Sequence, residues 1–361
     1  MINFECMNSQ KYNVVGVMSG TSLDGVDLAH IVFSISEQIW DYQILECETI
    51  PYSDEWIDKL KKAVGFSVDE LKKINKEYTL LLSQIVNEFI LKNKLQDLDA
   101  VCSHGHTILH QPNNGLTLQI GNLPEISTLI NQNVVCDFRI QDVMLGGQGA
   151  PLVPIGDQIL FSQYEYCLNL GGFSNISFDY EGKRLAFDIS PVNTVLNFYA
   201  NELGFVYDDK GRFGMEGVIS DKLFCALNDI DFYQKPFPKS LGFEFVKSVV
   251  LPLIETSNLS IYDKLRTFIE HIAFQIAKAL PIKKGSILIT GGGVYNDFLI
   301  QRIKFYCPDH EVVIPDKKTI EFKEALIFGL LGVLKLRDEI NVLSSVTGSK
   351  TDHCSGNVFL K

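Results

Sequence analysis

Two short segments rich in glycine and hydroxyl side chains, each directly after an apolar, strand-like run, constrain this chain more than any other feature. The first covers residues 20–27, and the second begins at Gly171 and Gly172 in the other half of the chain. Glycine lets the backbone approach a ligand closely, and Ser and Thr add hydroxyl donors. One such turn is weak evidence because many hairpins contain one. A matched pair predicts two turns that clamp a polyphosphate from both sides.

The first segment is interpreted as a phosphate loop, because a tight hairpin needs only about two to five loop residues. It also sets two hydroxyls beside a carboxylate, and Asp24 and Asp27 are available to a metal ion with its bound water. The predicted nucleotide-binding residues of this segment are Gly20, Thr21, Ser22, Leu23, Asp24, Gly25, Val26 and Asp27, with Asp24 as the predicted metal ligand.

Composition excludes several classes of protein. The chain has 361 residues, which predicts two domains, and its net charge of -12 argues against a nucleic-acid-binding surface. No apolar run approaches the roughly 20 residues needed to span a bilayer, and no secretion signal is recognised near residue 1. The eight cysteines form no CxxC pair, which predicts neither a zinc site nor a disulfide framework. We therefore expect a cytoplasmic protein with no nucleic-acid or membrane partner.

Apolar periodicity predicts the same order of elements in both halves. The strands predicted for the first half lie at 12–18, 26–35, 43–50, 100–103 and 134–138. Ser67 and Glu70 form a capping box that opens the helix before the fourth of these strands. The strands predicted for the second half include 166–170, 176–179, 184–189 and 286–290.

Each half thus reads strand-strand-strand-helix-strand, with a phosphate-type turn after its first strand. This plan is that of the actin, sugar-kinase and heat-shock ATPase superfold, an α/β fold of two ribonuclease-H-like domains with a central cleft. We expect the first domain at 1–150, with 341–361 possibly returning to it, and the second at 151–340.

Two further motifs of the second half carry predicted roles. Gly291, Gly292 and Gly293 follow a strand, and three consecutive glycines carry a large entropic cost without a close-packed partner. These glycines have either a structural role or, as we predict, a role in binding the adenosine of a nucleotide. Asp188 ends a strand before a helix, whereas capping of that helix suits Ser190 or Asn193 better. A carboxylate at that place predicts a general base with a raised pKa.

Histidines and an arginine of the first half remain open to two interpretations each. His104, His106 and His110 suggest either polar groups at a substrate pocket or a metal site, and the absence of nearby carboxylates favours the pocket. Arg139 in Asp137-Phe138-Arg139 either pairs with Asp137 in a solvated loop or grips a carboxylate or phosphate with two hydrogen bonds.

Taken together, these segments closely resemble the anhydro-N-acetylmuramic acid kinase family over nearly the whole chain. The segments that carry the resemblance are 17–27, 103–105, 137–139, 146–154, 169–172, 290–293 and 345–348. The resemblance implies conversion of 1,6-anhydro-N-acetylmuramic acid to N-acetylmuramic acid 6-phosphate with ATP and Mg²⁺, in cell-wall recycling. It also implies a homodimer of two-domain subunits.

The resemblance assigns the catalytic aspartate to Asp188 and nucleotide contacts to residues 20–27. The predicted nucleotide-binding residues of the second half are Gly171, Gly172, Gly291, Gly292 and Gly293, and the predicted sugar-binding residues are Ser19, His104, Arg139 and Asn193. Two positions depart from the family pattern: Ile189-Ser190-Pro191-Val192 follows the aspartate in place of Thr-Gly-Pro and a small residue, and His106 replaces Gln. Alternative functions are a kinase for another anhydrosugar or sugar, and an actin-like assembly ATPase.

Overall fold

The computed structural model describes residues 10–20, 22–282 and 284–361. These residues form two compact units. Unit 1 comprises the described residues up to Leu160 together with Phe322–Lys361, and unit 2 is the continuous stretch Phe161–Glu321.

Twelve strands are named in chain order. They are β1 (Gln10–Ser19), β2 (Gly25–Ser36), β3 (Ile39–Pro51), β4 (Ala100–Gln111), β5 (Leu116–Ile120), β6 (Val134–Cys136), β7 (Tyr166–Leu170), β8 (Phe173–Tyr180), β9 (Lys183–Pro191), β10 (Gly285–Thr290), β11 (His310–Val313) and β12 (Asn357–Phe359).

The α-helices follow the same numbering. They are α1 (Asp54–Ala63), α2 (Val68–Lys92), α3 (Glu125–Ile130), α4 (Ile140–Met144), α5 (Val153–Leu160), α6 (Asn193–Glu202), α7 (Arg212–Glu216), α8 (Asp221–Asn228), α9 (Phe243–Phe245), α10 (Leu251–Glu255), α11 (Ile261–Lys278), α12 (Asp297–Tyr306), α13 (Lys317–Leu336) and α14 (Ser344–Thr347). The predicted capping box of Ser67 and Glu70 starts α2. Within the described ranges, no helix combines the length and apolar character required of a membrane span.

The sheets of the two units share one strand order. In unit 1 the path is β12-β6-β4-β1-β2-β3, with β5 paired to β4, and in unit 2 it is β11-β10-β7-β8-β9. The first three strands of each unit pair antiparallel, and the first strand pairs parallel with the strand that follows the helical region. This order, three-two-one-four-five, is that of a ribonuclease-H-like domain, so the predicted repeat of the plan and the α/β fold class are confirmed.

Both faces of the unit 1 sheet are covered, which explains the near-continuous apolar run of β2. On one face, α1 and α2 share a buried cluster with the strands that includes Val15, Val101 and Tyr78. On the other face lies α13, which approaches so closely that a Cβ added at Gly332 would lie 2.1 Å from the sulfur of Cys102. In unit 2, α11 buries its apolar side against the sheet, where Phe268, Ile272 and Ile276 are fully enclosed.

The unit limits differ from the sequence-based division at 150 and 340. Residues 151–160 and 322–340 lie in unit 1, because α5 and most of α13 pack there. The apolar sequence of α13 predicts burial, but it does not say which sheet the helix covers. Residues 341–361 also belong to unit 1, and β12 pairs antiparallel with β6.

Strand β4 is longer than the predicted 100–103, because β5 pairs with its second half between His106 and Gln111. The three histidines of this segment therefore lie in a strand and not in a loop.

Gly16 in β1 tests the close packing of α13. A Cβ at Gly16 would lie 2.0 Å from the Ala325 carbonyl oxygen, so Gly16→Ala is expected to lower the free energy of unfolding by about 1–3 kcal/mol through overpacking. Gly65→Ala is the matched control, since its nearest neighbour, Lys62 O, would be 3.6 Å away, and its effect is expected within about 0.5 kcal/mol. Urea denaturation measures both, and equal effects would contradict the packing argument.

Candidate functional site

In unit 2 the predicted glycine turns meet at the carboxyl ends of two neighbouring parallel strands. Gly171 and Gly172 follow β7, and Gly291 follows β10, whose last residue Thr290 pairs with Asn169. Strand β7 leads to β8 on one side of the sheet and β10 leads to β11 on the other, so the strand order reverses between β7 and β10. Ligands of open α/β sheets bind outside the carboxyl ends of strands at such switch points.

Gly291 shows why this turn requires glycine. Its φ of 85° and ψ of 164° lie in a region that is essentially restricted to glycine. A Cβ there would lie 2.4 Å from Asn169 Oδ1 and 2.8 Å from the Leu170 carbonyl oxygen. Close packing of this turn against the end of β7 therefore explains the glycine at this position.

The start of α6 completes this corner of unit 2. The Asn193 N–H donates to Gly171 O at 3.3 Å, and the Thr194 hydroxyl donates to Gly172 O at 2.9 Å. The Asn193 side-chain amide donates to Leu170 O at 3.5 Å. The structure thus brings Asn193 together with both glycine turns, where it fixes the shape of the Gly171-Gly172 turn.

Asp188 lies on β9 beside a β-bulge. The pairing with β8 skips Ile189, which is buried in the core, while Asp188 faces away from it and is half-buried. Bulges often re-aim a side chain next to an active site. The Leu241 N–H donates to Asp188 Oδ2 at 2.8 Å, and no described residue bonds Oδ1. Burial raises the pKa of the Asp188 carboxyl and the Leu241 N–H opposes this rise, so the group suits a general base.

In unit 1 the turn after β1 offers fewer residues than the sequence predicts. Ser22 and Asp24 are exposed, with the Ser22 hydroxyl donating to Asp24 Oδ1 at 2.7 Å, whereas Val26 is a core residue. A Cβ at Gly25 would lie 2.4 Å from Ile50 O, which explains this glycine by strand packing. Leu23 has a φ of 62°, rare for a bulky residue and typical of a constrained functional loop.

The other members of this segment are accounted for as follows. Gly20 connects the end of β1 to the turn, and Thr21 lies outside the described residues. Asp27 is partly buried on β2, and its Oδ1 accepts the Thr49 hydroxyl at 2.6 Å.

Arg139 is held from two sides in unit 1. Its Nε donates to His104 Nε2 at 2.9 Å and its Nη1 donates to Gly149 O at 2.6 Å, while Nη2 donates to no described residue. Asp137 instead accepts from the amides of Asn122 and Asn357, so the alternative Asp137–Arg139 pair is not formed. The guanidinium is therefore fixed in orientation and keeps donors for an anion.

His104 orients Arg139 and has no ring nitrogen left for a sugar. Because arginine only donates, His104 Nε2 must be the acceptor, and Nδ1–H then donates to Gly105 O at 2.9 Å. Burial, with the Arg139 charge, holds the pKa of His104 well below its usual range. Burial also lowers the pKa of Arg139 to about 10, with Glu324 and Asp142 opposing, which leaves it a cation at neutral pH.

Ser19 lies at the centre of a buried relay of hydroxyls. Its Oγ is 2.6 Å from Tyr52 OH and 2.8 Å from His106 Nδ1, and Tyr52 OH also contacts Tyr78 OH. Burial lowers the pKa of His106 to about 4, so Nδ1 of the neutral ring can accept. The protons then run from Tyr78 to Tyr52, to Ser19 and to His106, so each hydroxyl of the relay donates to the next group.

This polarity fixes the proton of neutral His106 on Nε2. Among the described residues, no group of three His, Cys, Asp or Glu side chains is placed to hold a metal ion. The interpretation of the histidines as a metal site therefore has no support.

Comparison with known proteins places the chain in a family. The family model described as anhydro-N-acetylmuramic acid kinase matches residues 12–361. The chain belongs to the anhydro-N-acetylmuramic acid kinase family. A relative from Mannheimia succiniciproducens with that name is 32% identical, covering 97% of this chain and 100% of the relative. One from Haemophilus influenzae is 29% identical with 100% of both covered, and one from Coxiella burnetii is 30% identical with 97% and 98% covered.

A solved structure, the activator of the 2-hydroxyisocaproyl-CoA dehydratase from Clostridium difficile with bound ADPNP, is 12% identical with a TM-score of 0.44. It covers 90% of this chain and 96% of its own, and this likeness is too weak to support an argument.

The departure from the family pattern after Asp188 is accommodated locally. Ser190 Oγ lies 3.0 Å from Ser174 Oγ, and the Ser190 N–H donates to the same Ser174 hydroxyl at 3.1 Å. This pair closes the bulge across β8 and β9. Ile189 fills the core beneath it.

Two members of the unit 1 site escape sequence reasoning. Tyr52 has no sequence signal, since it simply follows β3. Glu324 is signalled by its place beside Lys323, directly before the apolar stretch 325–334 of α13. Partial desolvation by the surrounding protein raises the pKa of the Glu324 carboxyl, and the positive charge of Arg139 opposes this rise. The Glu324 side chain is exposed.

Burial of His106 within the relay predicts that it titrates near pH 4, and the direction of the relay predicts that its neutral proton lies on Nε2. Nitrogen NMR of ¹⁵N-histidine-labelled protein, with His106→Gln to assign the signal, measures both. Since the unfolded ring binds a proton near 6.5 and the folded ring near 4, His106 should cost stability as the pH falls through this window. His106→Gln should therefore flatten that loss. A midpoint near 6.5, or an Nδ1–H tautomer, would contradict the relay.

Proposed function

We propose that this chain is an ATP-dependent kinase that hydrolytically opens 1,6-anhydro-N-acetylmuramic acid and phosphorylates its O6, giving N-acetylmuramic acid 6-phosphate in cell-wall recycling. Membership in the family supports the activity. The observation that carries the mechanism is Asp188, a carboxylate with a raised pKa, one oxygen fixed by a backbone donor and the other without a partner among the described residues.

In the proposed reaction Asp188 takes a proton from water as the water oxygen bonds to the anomeric carbon. The bond between that carbon and the bridging oxygen breaks, and the oxygen stays on C6 with the electron pair. It then attacks the γ-phosphorus, and ADP leaves with the electrons of the broken phosphate bond. Phosphoryl transfer asks a protein mainly for alignment and charge neutralisation.

Arg139 is the proposed anchor for the carboxylate of the sugar acid. Its fixed guanidinium and free Nη2 match a planar anion, and it supplies a local cation in a chain of net charge -12. His104 is assigned the positioning of Arg139, and Asn193 the shaping of the glycine turn. Ser19 would act through the relay, since its hydroxyl is already shared between Tyr52 and His106.

The proposed nucleotide contacts are the glycine turns, and the Gly291 turn, at the carboxyl end of β10, is the proposed seat of the adenosine. Gly171, Gly172, Gly292 and Gly293 are also proposed nucleotide contacts, together with Gly20 and Ser22 of unit 1. Asp24, an exposed carboxylate, fits the hard oxygen ligands that Mg²⁺ prefers. Bound there, Mg²⁺ would neutralise phosphate charge.

Asp188→Asn is expected to fold and bind ATP normally but to lose turnover by roughly 10²–10⁴, the usual contribution of a positioned general base. Asp179→Asn on the neighbouring strand β8 is the matched control, because its carboxylate pairs with Arg184 and has no part in the reaction. Steady-state kinetics and calorimetric titration with ATP compare the two variants. Turnover of Asp188→Asn within a few-fold of the parent would remove Asp188 as the base.

Reaction in ¹⁸O-enriched water should place the label on the anomeric hydroxyl and leave the phosphoryl group unlabelled. The alkoxide made by ring opening is the phosphoryl acceptor, so the ring should stay closed without ATP. Prompt mass spectrometry, with an enzyme-free control for spontaneous anomeric exchange, gives the measurement. Label in the phosphate, or opened sugar without nucleotide, would exclude the mechanism, and turnover of other sugars in preference would point to a different sugar kinase.

A further inference from the structure

A fully buried carboxylate in unit 1 receives donors from distant parts of the chain. Asp142 on α4 accepts the Thr347 hydroxyl on Oδ1 at 2.6 Å and the Gly149 N–H on Oδ2 at 2.6 Å. A buried charge must be compensated by such donors, because leaving it unpaired costs several kcal/mol. The arrangement is therefore strongly preferred over one in which either donor turns away.

Gly149 connects Asp142 to Arg139 through hydrogen bonds of its backbone. Its carbonyl oxygen accepts from Arg139 Nη1, while its N–H is held by Asp142, so one residue connects the carboxylate to the guanidinium. Gly147 makes the contact sterically possible, since a Cβ there would lie 2.2 Å from Asp142 Oδ2. Arg139 directly precedes α4, and Asp142 lies three residues later within that helix. The buried contacts of Asp142 therefore also fix the backbone that carries Arg139.

The final segment of unit 1 is attached to the same loop by its backbone. Gln148 N–H donates to Thr347 O at 2.8 Å, and Lys350 N–H donates to Leu145 O at 3.3 Å. His353 Nε2 lies 3.7 Å from Asp142 Oδ1. Thr347 thus contacts Asp142 with its side chain and Gln148 with its backbone.

We propose that Thr347 and Asp142 are positioning residues for Arg139, so that the segment 341–361 sets the affinity of unit 1 for the carboxylate of the sugar. This inference rests on the proposed function, in which Arg139 binds that carboxylate. Neither residue touches the substrate. Their effect is transmitted through the Gly149 backbone.

The test compares two substrates, the anhydro sugar acid and its uncharged methyl amide. Thr347→Val, which keeps the shape and loses the hydroxyl, is expected to raise KM for the acid about tenfold, as a lost hydrogen bond to a charged group predicts. KM for the amide and for ATP should stay within twofold. Thr347→Ser should restore the parental KM. Ser344→Ala is the matched control, because it removes a hydroxyl bond of 2.6 Å to Asp352 in the same segment.

A merely structural role would raise KM for acid and amide alike, and that result would overturn the proposal. In an Arg139→Ala background, Thr347→Val should add no further loss for the acid, and an additive loss would equally overturn it. If Arg139→Ala itself leaves the preference for the acid unchanged, the anchor assigned under the proposed function fails, and the inference fails with it. Thr347→Ala replaces Thr347→Val in all arms if the valine variant does not fold by circular dichroism.

Discussion

The parallel pairing of the first and fourth strands in each unit is the constraint on which both candidate sites depend. It places the ends of β1 and β4, and of β7 and β10, side by side, so the loops that follow must share one edge of the sheet. In unit 2 the result is a backbone so crowded at Gly291 that only glycine fits. Strand pairing thus sets where these loops begin, and contacts of the loops, such as that of Gly149 with Arg139, complete the site.

Near these strand ends, the buried polar side chains form hydrogen bonds mostly with other polar groups of the protein. His104 accepts from Arg139, His106 accepts from Ser19, and Asp142 accepts from Thr347 and Gly149. A partner that can only donate or only accept determines whether each buried group donates or accepts. Arg139, for example, can only donate, so His104 must accept. Burial then keeps both histidines neutral, which leaves Arg139 as the cation among these groups.

The sequence predicted what depends on local pattern and missed what depends on distance along the chain. The strand plan, the α2 capping box and the glycine turns follow from spacing and composition, and Asp188 was singled out by its place at a strand end. The contact of Thr347 with Asp142, 205 residues apart, leaves no local trace. Likewise, the only sequence signal of Glu324 is a charge directly before the apolar stretch of α13, and the sequence does not show which sheet that helix covers.

Unit 2 is one continuous stretch, whereas unit 1 is assembled from two stretches that flank it. During synthesis the ribosome therefore delivers nearly all of unit 2 before α13 and all of it before β12. These two elements cover one face and one edge of the unit 1 sheet. Until they arrive, the apolar face around Gly16 and Cys102 has no cover and the carboxylate of Asp142 lacks one of its donors. The nascent first unit is thus exposed to aggregation, and the contacts that fix Arg139 are completed only after unit 2 has been synthesised.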